Sequence, residues 1–511
     1  MRCKTNVQIL VTTIALGCIA AGRVAVIQGD VGPTMLVPDL QVRVVVSGLN
    51  QPTSMAFLGD NDFLVLEKST GRVFRVVNGQ KTAVVLDLAV NSASERGLLG
   101  IALHPDFSEN GGVYLYWTCT APLGGDPFFP SSNECLDPPA LGADTNNVLA
   151  VPLRGNRIDR FVWNSTTATL TYDHNLIKLR SFQSDGAPIP PDQGDASQPP
   201  QGNNNGGVLR FGPDGKLYAL IGDNGRRGQL QNLVDGPTPP TTDDQFGGPA
   251  PDDNLLTGVI LRLNDDGSTP SDNPFFSVGA GIGGQAGANI QKVFAYGVRN
   301  SFGLAFDPVS GALWDQENGD DAFDEINRIE PGSNNGWVQT MGPVARVAQF
   351  KEIETSMFGS NLQQLRWPPS NIADTPADAV AHLFALPGSH YNDPQFSWKY
   401  AVAPAGIGFV KGRALGVQSR NALIVGAARP DLEGGYLFRF RLTGNRQKIA
   451  VDLPGLEDRV ADNTGKFDIT ESESLLIGRD FGIGTDIQAS PSGTLFVVSL
   501  SHGAVYEIFR P

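Results

Sequence analysis

Apolar positions in this chain come in short runs, each introduced by a turn. The stretch "FGPDGKLYALIGD" (211–223) shows the form: "GPDG" supplies the turn, and "KLYALIGD" alternates like a half-buried strand ending at an acid. The phrase returns loosely as "FLGDNDFLVLEKSTGRVFRV" (57–76), "HPDFSENGGVYLYWT" (104–118) and "FDPVSGALWDQENGD" (306–320). It returns again as "VKGRALGVQSRNALIVGAA" (410–428) and "ASPSGTLFVVSLSHGAVYEI" (489–508). Long amphipathic helical patterns are nearly absent. Six such units at irregular spacing predict an all-β fold of radially repeated small sheets, a β-propeller with insertions between blades. A β-sandwich or a solenoid is the alternative, and the irregular spacing counts against a solenoid. The opening "LQVRVVVSGL" (40–49) and the closing "GAVYEIFRP" (503–511) are expected to pair and shut the ring.

Two insertions, 184–207 and 235–253, are rich in Pro, Gly and Asp and read as surface loops. The first runs into three asparagines, Asn203 to Asn205, just before a Gly-Gly pair at a strand entrance. In a propeller such loops lie over one mouth of the ring, which makes the triplet a candidate for the functional site.

Composition sharpens this picture. The 511 residues include 60 Gly and 36 Pro, spread along the chain, which breaks it into many short elements. A formal charge of −15 argues against a nucleic-acid partner, which calls for clustered Lys and Arg. At the N-terminus, Arg2 and Lys4 precede an apolar run too short to span a bilayer, then small residues. That pattern reads as a secretory signal over 1–21, followed by a linker over 22–39 and the β fold over 40–511. Cleavage after Ala20 or Ala21 would give a soluble exported protein, periplasmic or secreted. Alternatively "ALGC" (15–18) is a lipoprotein box that acylates Cys18, the one route to a membrane. Export leaves Cys119 and Cys135 in the mature chain, where an oxidising compartment favours a disulfide between them.

Several motifs then occur in one order: "GLNQPTSMAFLGDNDFLVLEKSTGRVFRV", "ERGLLGIALHPDF", "GVILRLNDDGSTPSDNPFF", "YGVRNSFGLAFDP", "DEINRI" and "NNGW". Together they resemble the soluble PQQ-dependent sugar dehydrogenases, also called glucose/sorbosone dehydrogenases, across nearly all of 40–511. The resemblance implies a six-bladed β-propeller that oxidises a sugar at its anomeric carbon. Hydride would pass to PQQ held beside a calcium ion. The hedgehog-interacting protein propeller is a relative in fold that is not an enzyme.

The site positions implied by the resemblance are only partly kept. Where the family carries its base in "H-x-G-G-x-L", this chain reads "N-N-G-G-V-L", which puts Asn204 on the base. An amide does not take a proton from a sugar hydroxyl near neutral pH. The family holds PQQ, a tricarboxylate, with Lys and Arg; the matched positions here are Glu433, Ile483 and Thr485, and Ser501 replaces an acid. Arg479 of "IGRDFG" is a candidate substitute cation. A family Gln aligns with Glu95, which together with Glu433 is expected to repel the cofactor.

Arg299 and Asn300 of "VRN" match residues that contact PQQ at the mouth; the alternative is that Arg299 pairs with Glu95 as a structural ion pair. Gly319 and Asp320 match carbonyls that hold the catalytic calcium, and Asp324, Glu325 and the Asn335 carbonyl match structural calcium ligands. Oxygen-rich acidic loops suit that hard cation.

Two functions stay open. One is a divergent quinoprotein dehydrogenase with another base, such as Asp223 or Asp320. The other is a calcium-stabilised propeller that binds a glycan, a peptide or a cell-surface protein. A hydrolase is disfavoured by the placement of the five His, which suggests no Ser-His-Asp arrangement.

Overall fold

The computed structural model describes residues 32–92, 94–119, 156–179, 181, 203–224, 256–356, 370 and 372–511. The signal and lipobox readings, Cys18, Cys135 and most of both Pro-rich insertions lie outside these residues. Cys119 is buried in a bridge to Val90 at the end of the strand Gly112–Thr118.

The fold is all-β, with a few short helices. Its described strands form six sheets. The first sheet is a plain antiparallel meander of Pro52–Gly59, Asp62–Glu67, Arg72–Val77 and Gln80–Asp87. The second has the same form, beginning with Leu98–Leu103 and ending with Thr169–Leu179. The third, fourth and fifth begin with Leu209–Phe211, Gly303–Phe306 and Pro404–Phe409, and extra short strands lengthen each at its outer edge. The sixth combines three C-terminal strands with Gln41–Val46. There Gln41 pairs with Phe509 and Val42 with Ile508, so the two chain ends close one sheet as expected. Thr34–Met35, inside the stretch read as a linker, forms a strand against Leu476–Arg479.

All six sequence units map onto the first turn of a sheet, between its first and second strands. The reading of "KLYALIGD" as half-buried needs correction, because Leu217–Ile221 is buried at every position. The reason is packing on both faces. Leu64 and Leu66 point into a core shared with Ile101, Val113 and Leu115 of the second sheet. Phe63 and Val65, one residue out of phase, point into a core shared with Phe496 and Val498 of the sixth. A strand between two sheets needs apolar side chains at both parities, so its sequence reads as a continuous run. Similar cores join the second sheet to the third, the third to the fourth, the fourth to the fifth and the fifth to the sixth. The six first strands touch one another in the same cycle, the last returning to the first.

Candidate functional site

Because the first strands run side by side in this cycle, the residues entering them are brought to one place. Thr53, Glu95, Asn204, Arg299, Pro404 and Ile483, one from the entrance of each sheet, line a single cavity of about 380 Å³. That volume lies within the ordinary range for small-molecule sites, roughly 300–1,000 Å³. Asn300, Gly319, Asp320, Asp324 and Thr485 line it too. The structure thus gathers most of the expected positions, although they lie in separate stretches of the chain.

The asparagine triplet divides its work. Asn203 accepts from the Ser94 hydroxyl, in the segment leading into the second sheet, and Asn205 accepts from Asn156 Nδ2 of that sheet at 2.7 Å, so both hold the loop in place. Asn204 faces the cavity between them, in the left-handed region at a φ of 50°, which Asn tolerates better than most residues. Its main-chain N–H donates to Glu95 Oε2 at 2.7 Å, and its Nδ2 donates to Asp223 Oδ1 at 2.8 Å. Asp223 is buried, and its Oδ2 accepts from Trp337 Nε1 at 2.9 Å. Both oxygens of this proposed replacement base are therefore engaged, and Asp223 does not line the cavity.

Arg299 is buried; it donates to the Asn318 carbonyl at 2.9 Å and forms its ion pair with Asp320, not with Glu95. Its guanidinium lies over the Trp337 ring, 5.5 Å from the centroid. Asn300 donates from Nδ2 to Glu95 Oε2 at 3.2 Å and accepts from the Gly206 N–H at 3.2 Å. Glu95 is thus held by the two amide residues, and burial pushes its carboxyl above the usual range. The Asn204 N–H, Arg299, Lys68 and Asn300 oppose that rise.

The expected metal residues divide between the cavity and the strand beside it. Asp324 Oδ1 accepts from the Gly319 N–H at 2.8 Å, and Oδ2 accepts from the N–H groups of Val402 at 2.6 Å and Ala403 at 2.8 Å. Its carboxyl, raised by burial to about 6, ties the acidic loop to the entrance of the fifth sheet. Glu325 accepts from Asn327 Nδ2 at 3.1 Å and from the Gly342 N–H, away from the cavity. Asn335 is buried and does not line the cavity either. Among the described residues no three His, Cys, Asp or Glu side chains converge as a metal site. As side-chain donors, these residues do not fit calcium. Of the expected set, Gly319, Asp320 and Asp324 line the cavity.

The clamp is also differently built. Glu433 is exposed, with 79% of its side chain accessible beside His502, and does not line the cavity, so it does not repel a ligand there. Arg479 pairs with Glu473 at the surface and is no substitute cation. Ile483 and Thr485 form uncharged wall, with the Ile483 N–H donating to Ser501 Oγ at 2.9 Å.

Two cations missed in the sequence, Lys68 and Lys466, also line the cavity. Lys68 donates to the carbonyls of Ser92 at 3.0 Å and Ser94 at 2.8 Å; Lys466 pairs with Asp321. Lys68 stood in the quoted first unit; nothing in its spacing pointed to the site. Lys68, Arg299 and Lys466 share the cavity with the acids Glu95, Asp320 and Asp324, and Arg299 and Lys466 are each ion-paired, so an anionic ligand would meet three cations placed among carboxylates.

Comparison with known proteins agrees with this architecture. The family profile described as Glucose / Sorbosone dehydrogenase matches residues 49–126 and 194–373, about half of the chain. The chain belongs to this family. It is 32% identical over 307 residues to quinoprotein glucose dehydrogenase B of Acinetobacter calcoaceticus, a match covering 59% of this chain and 52% of that protein. It thus spans about half the length of that relative. It is also 25% identical over 255 residues to the hedgehog-interacting protein of Mus musculus, covering 47% of this chain and 29% of that protein. The apo crystal structure of the soluble aldose sugar dehydrogenase of Escherichia coli is similar in fold. Its TM-score is 0.57 at 20% identity, covering 92% of this chain and all of that one.

Proposed function

We propose that the protein is an exported sugar dehydrogenase on a six-bladed β-propeller, using PQQ in the cavity at the entrances of the first strands. The observation that carries this reading is the convergence of Lys68, Arg299 and Lys466, with Asn300, on one cavity in a member of this family. Six sheets whose first strands touch in a cycle support the six-bladed count. The N-terminal basic residues and short apolar run support export, soluble or lipid-anchored through Cys18. Cys119 and Cys135 would then close a disulfide.

In this reading PQQ supplies a quinone that accepts a hydride. Lys68, Arg299 and Lys466 would hold its carboxylates by charge-assisted hydrogen bonds, and Asn300 would orient it. Ile483, Leu500 and Thr485 give one wall of the cavity no charge. Gly319 and Asp320 would offer main-chain oxygens to calcium.

The test is calorimetric titration of PQQ into the mature protein, with calcium present and then chelated. Saturable binding is expected, weakened about tenfold by Lys466→Gln, the loss of one charged contact. No binding at about 100 µM PQQ overturns the reading. The second reading, a propeller that binds a glycan or a cell-surface protein, draws on one observation. Asn204 occupies the base position as an amide tied to Asp223. Dye-linked oxidation of any aldose by the PQQ-loaded protein would retire it.

A further inference from the structure

With an amide at position 204, the cavity needs another group to take a proton. Glu95, Asp320 and Asp324 line it, and Asp223 stands behind Asn204. Asp320 holds Arg299, Asp324 takes three main-chain N–H groups, and Asp223 takes Asn204 and Trp337. Glu95 differs. Its hydrogen bonds from Asn204 and Asn300 both fall on Oε2, which leaves Oε1 for whatever enters the cavity. It is also fastened to the main chain of the residue at the base position, so the acceptor is displaced by one hydrogen bond.

We propose that Glu95, through Oε1, is the proton acceptor of this cavity and takes the hydroxyl proton of a bound sugar. The assignment rests on the quinoprotein reading. In the step, the O–H bond of the anomeric hydroxyl breaks and its proton goes to Oε1. The C–H bond of the same carbon breaks and its hydrogen leaves with the electron pair to an ortho-quinone oxidant. A C=O bond forms, so the sugar leaves as a lactone and the quinone is reduced by two electrons. Glu95 then returns its proton to water. Burial raises its carboxyl above the usual range, while Lys68 and Arg299 oppose that rise and Asp223 stands beyond Asn204.

The experiment compares wild type, Glu95→Gln and Glu95→Asp as full-length proteins loaded with PQQ. PQQ affinity is read by calorimetry, and kcat/KM for D-glucose and a panel of aldoses is read against pH with an artificial electron-accepting dye. Glu95→Gln is expected to bind PQQ at least as tightly, having lost a negative charge. Its kcat/KM should fall about 10²–10⁴-fold, with the acidic limb of the pH profile gone. Glu95→Asp should keep a limb with a moved midpoint. A Glu95→Gln protein with the wild-type rate and limb overturns the assignment while the quinoprotein reading stands. A wild type that binds no PQQ and oxidises no aldose overturns both. Should Glu95→Gln not fold, an unmoved limb in Glu95→Asp overturns the assignment.

Discussion

Asp315 is a fully buried carboxyl on the strand Leu313–Glu317, facing Asn327 across the ladder. Two positions along, Glu317 faces Glu325, also buried. Burial pushes Asp315 up to about 7 and Glu325 up to about 8, and Glu317 rises well above its usual range, with Glu325 and Asp315 adding to it. An acid whose folded pKa exceeds its unfolded one binds its proton more tightly when folded. Its stabilisation is complete below the unfolded pKa, near 4, and is lost as pH rises through the folded value. The melting temperature should therefore fall between pH 5 and pH 8. Asp315→Asn, nearly isosteric and never charged, should flatten that slope and be the more stable protein at pH 8, by roughly 2–4 kcal/mol. Calorimetric melts of both proteins across that range check this, and parallel slopes would refute it. At this scale the sequence marked Asn204 by type and position, but not the partners that decide what it does.

Between neighbouring sheets, the first strands approach so closely that several contacts tolerate no side chain. A Cβ on Gly408 would meet the Ile487 carbonyl oxygen at 2.2 Å, and one on Gly100 would meet that of Gly207 at 2.0 Å. These approaches account for glycines that the sequence presented only as strand breakers. Gly408→Ala should therefore cost about 1–3 kcal/mol or more, since the obstacle is main chain in an adjacent strand. Gly444→Ala, where nothing lies within 4 Å, is the control and should change stability little. Denaturant melts of the two variants measure the difference; equal effects would mean the strands are farther apart.

Over the whole molecule, closure joins residues nearly the full chain apart. Gln41–Val46 covers the edge of Ala504–Phe509, with Arg43 ion-paired to Glu507. The ion pair of Arg210 with Asp486, at 2.6 Å, links the third sheet to the sixth, which are not neighbours in the cycle. Asp486 also accepts from the Ser54 hydroxyl and the Met55 N–H of the first. Deleting residues 40–46 would strip the edge of Ala504–Phe509 and open the core at Val505 and Ile508. The melting temperature is expected to drop by roughly 10 °C or more, with concentration-dependent association through the bared edge. Scanning calorimetry with light scattering checks this; an unchanged melt would show that the closing strand is dispensable.

Six turn-and-strand units and two end strands able to pair were legible because turn chemistry and apolar runs are local, written within about a dozen residues. Motif order likewise placed Glu95, Asn204, Arg299, Asn300, Gly319 and Asp320 among the site candidates, and all of them line one cavity. The sequence did not show that Lys68 and Lys466 would join them, that Glu433 and Arg479 would stand outside, or that Asp324 would serve main-chain N–H groups. Those outcomes depend on which strand entrances meet and where each side chain then finds a partner. Such contacts join residues hundreds of positions apart, and no local pattern encodes them.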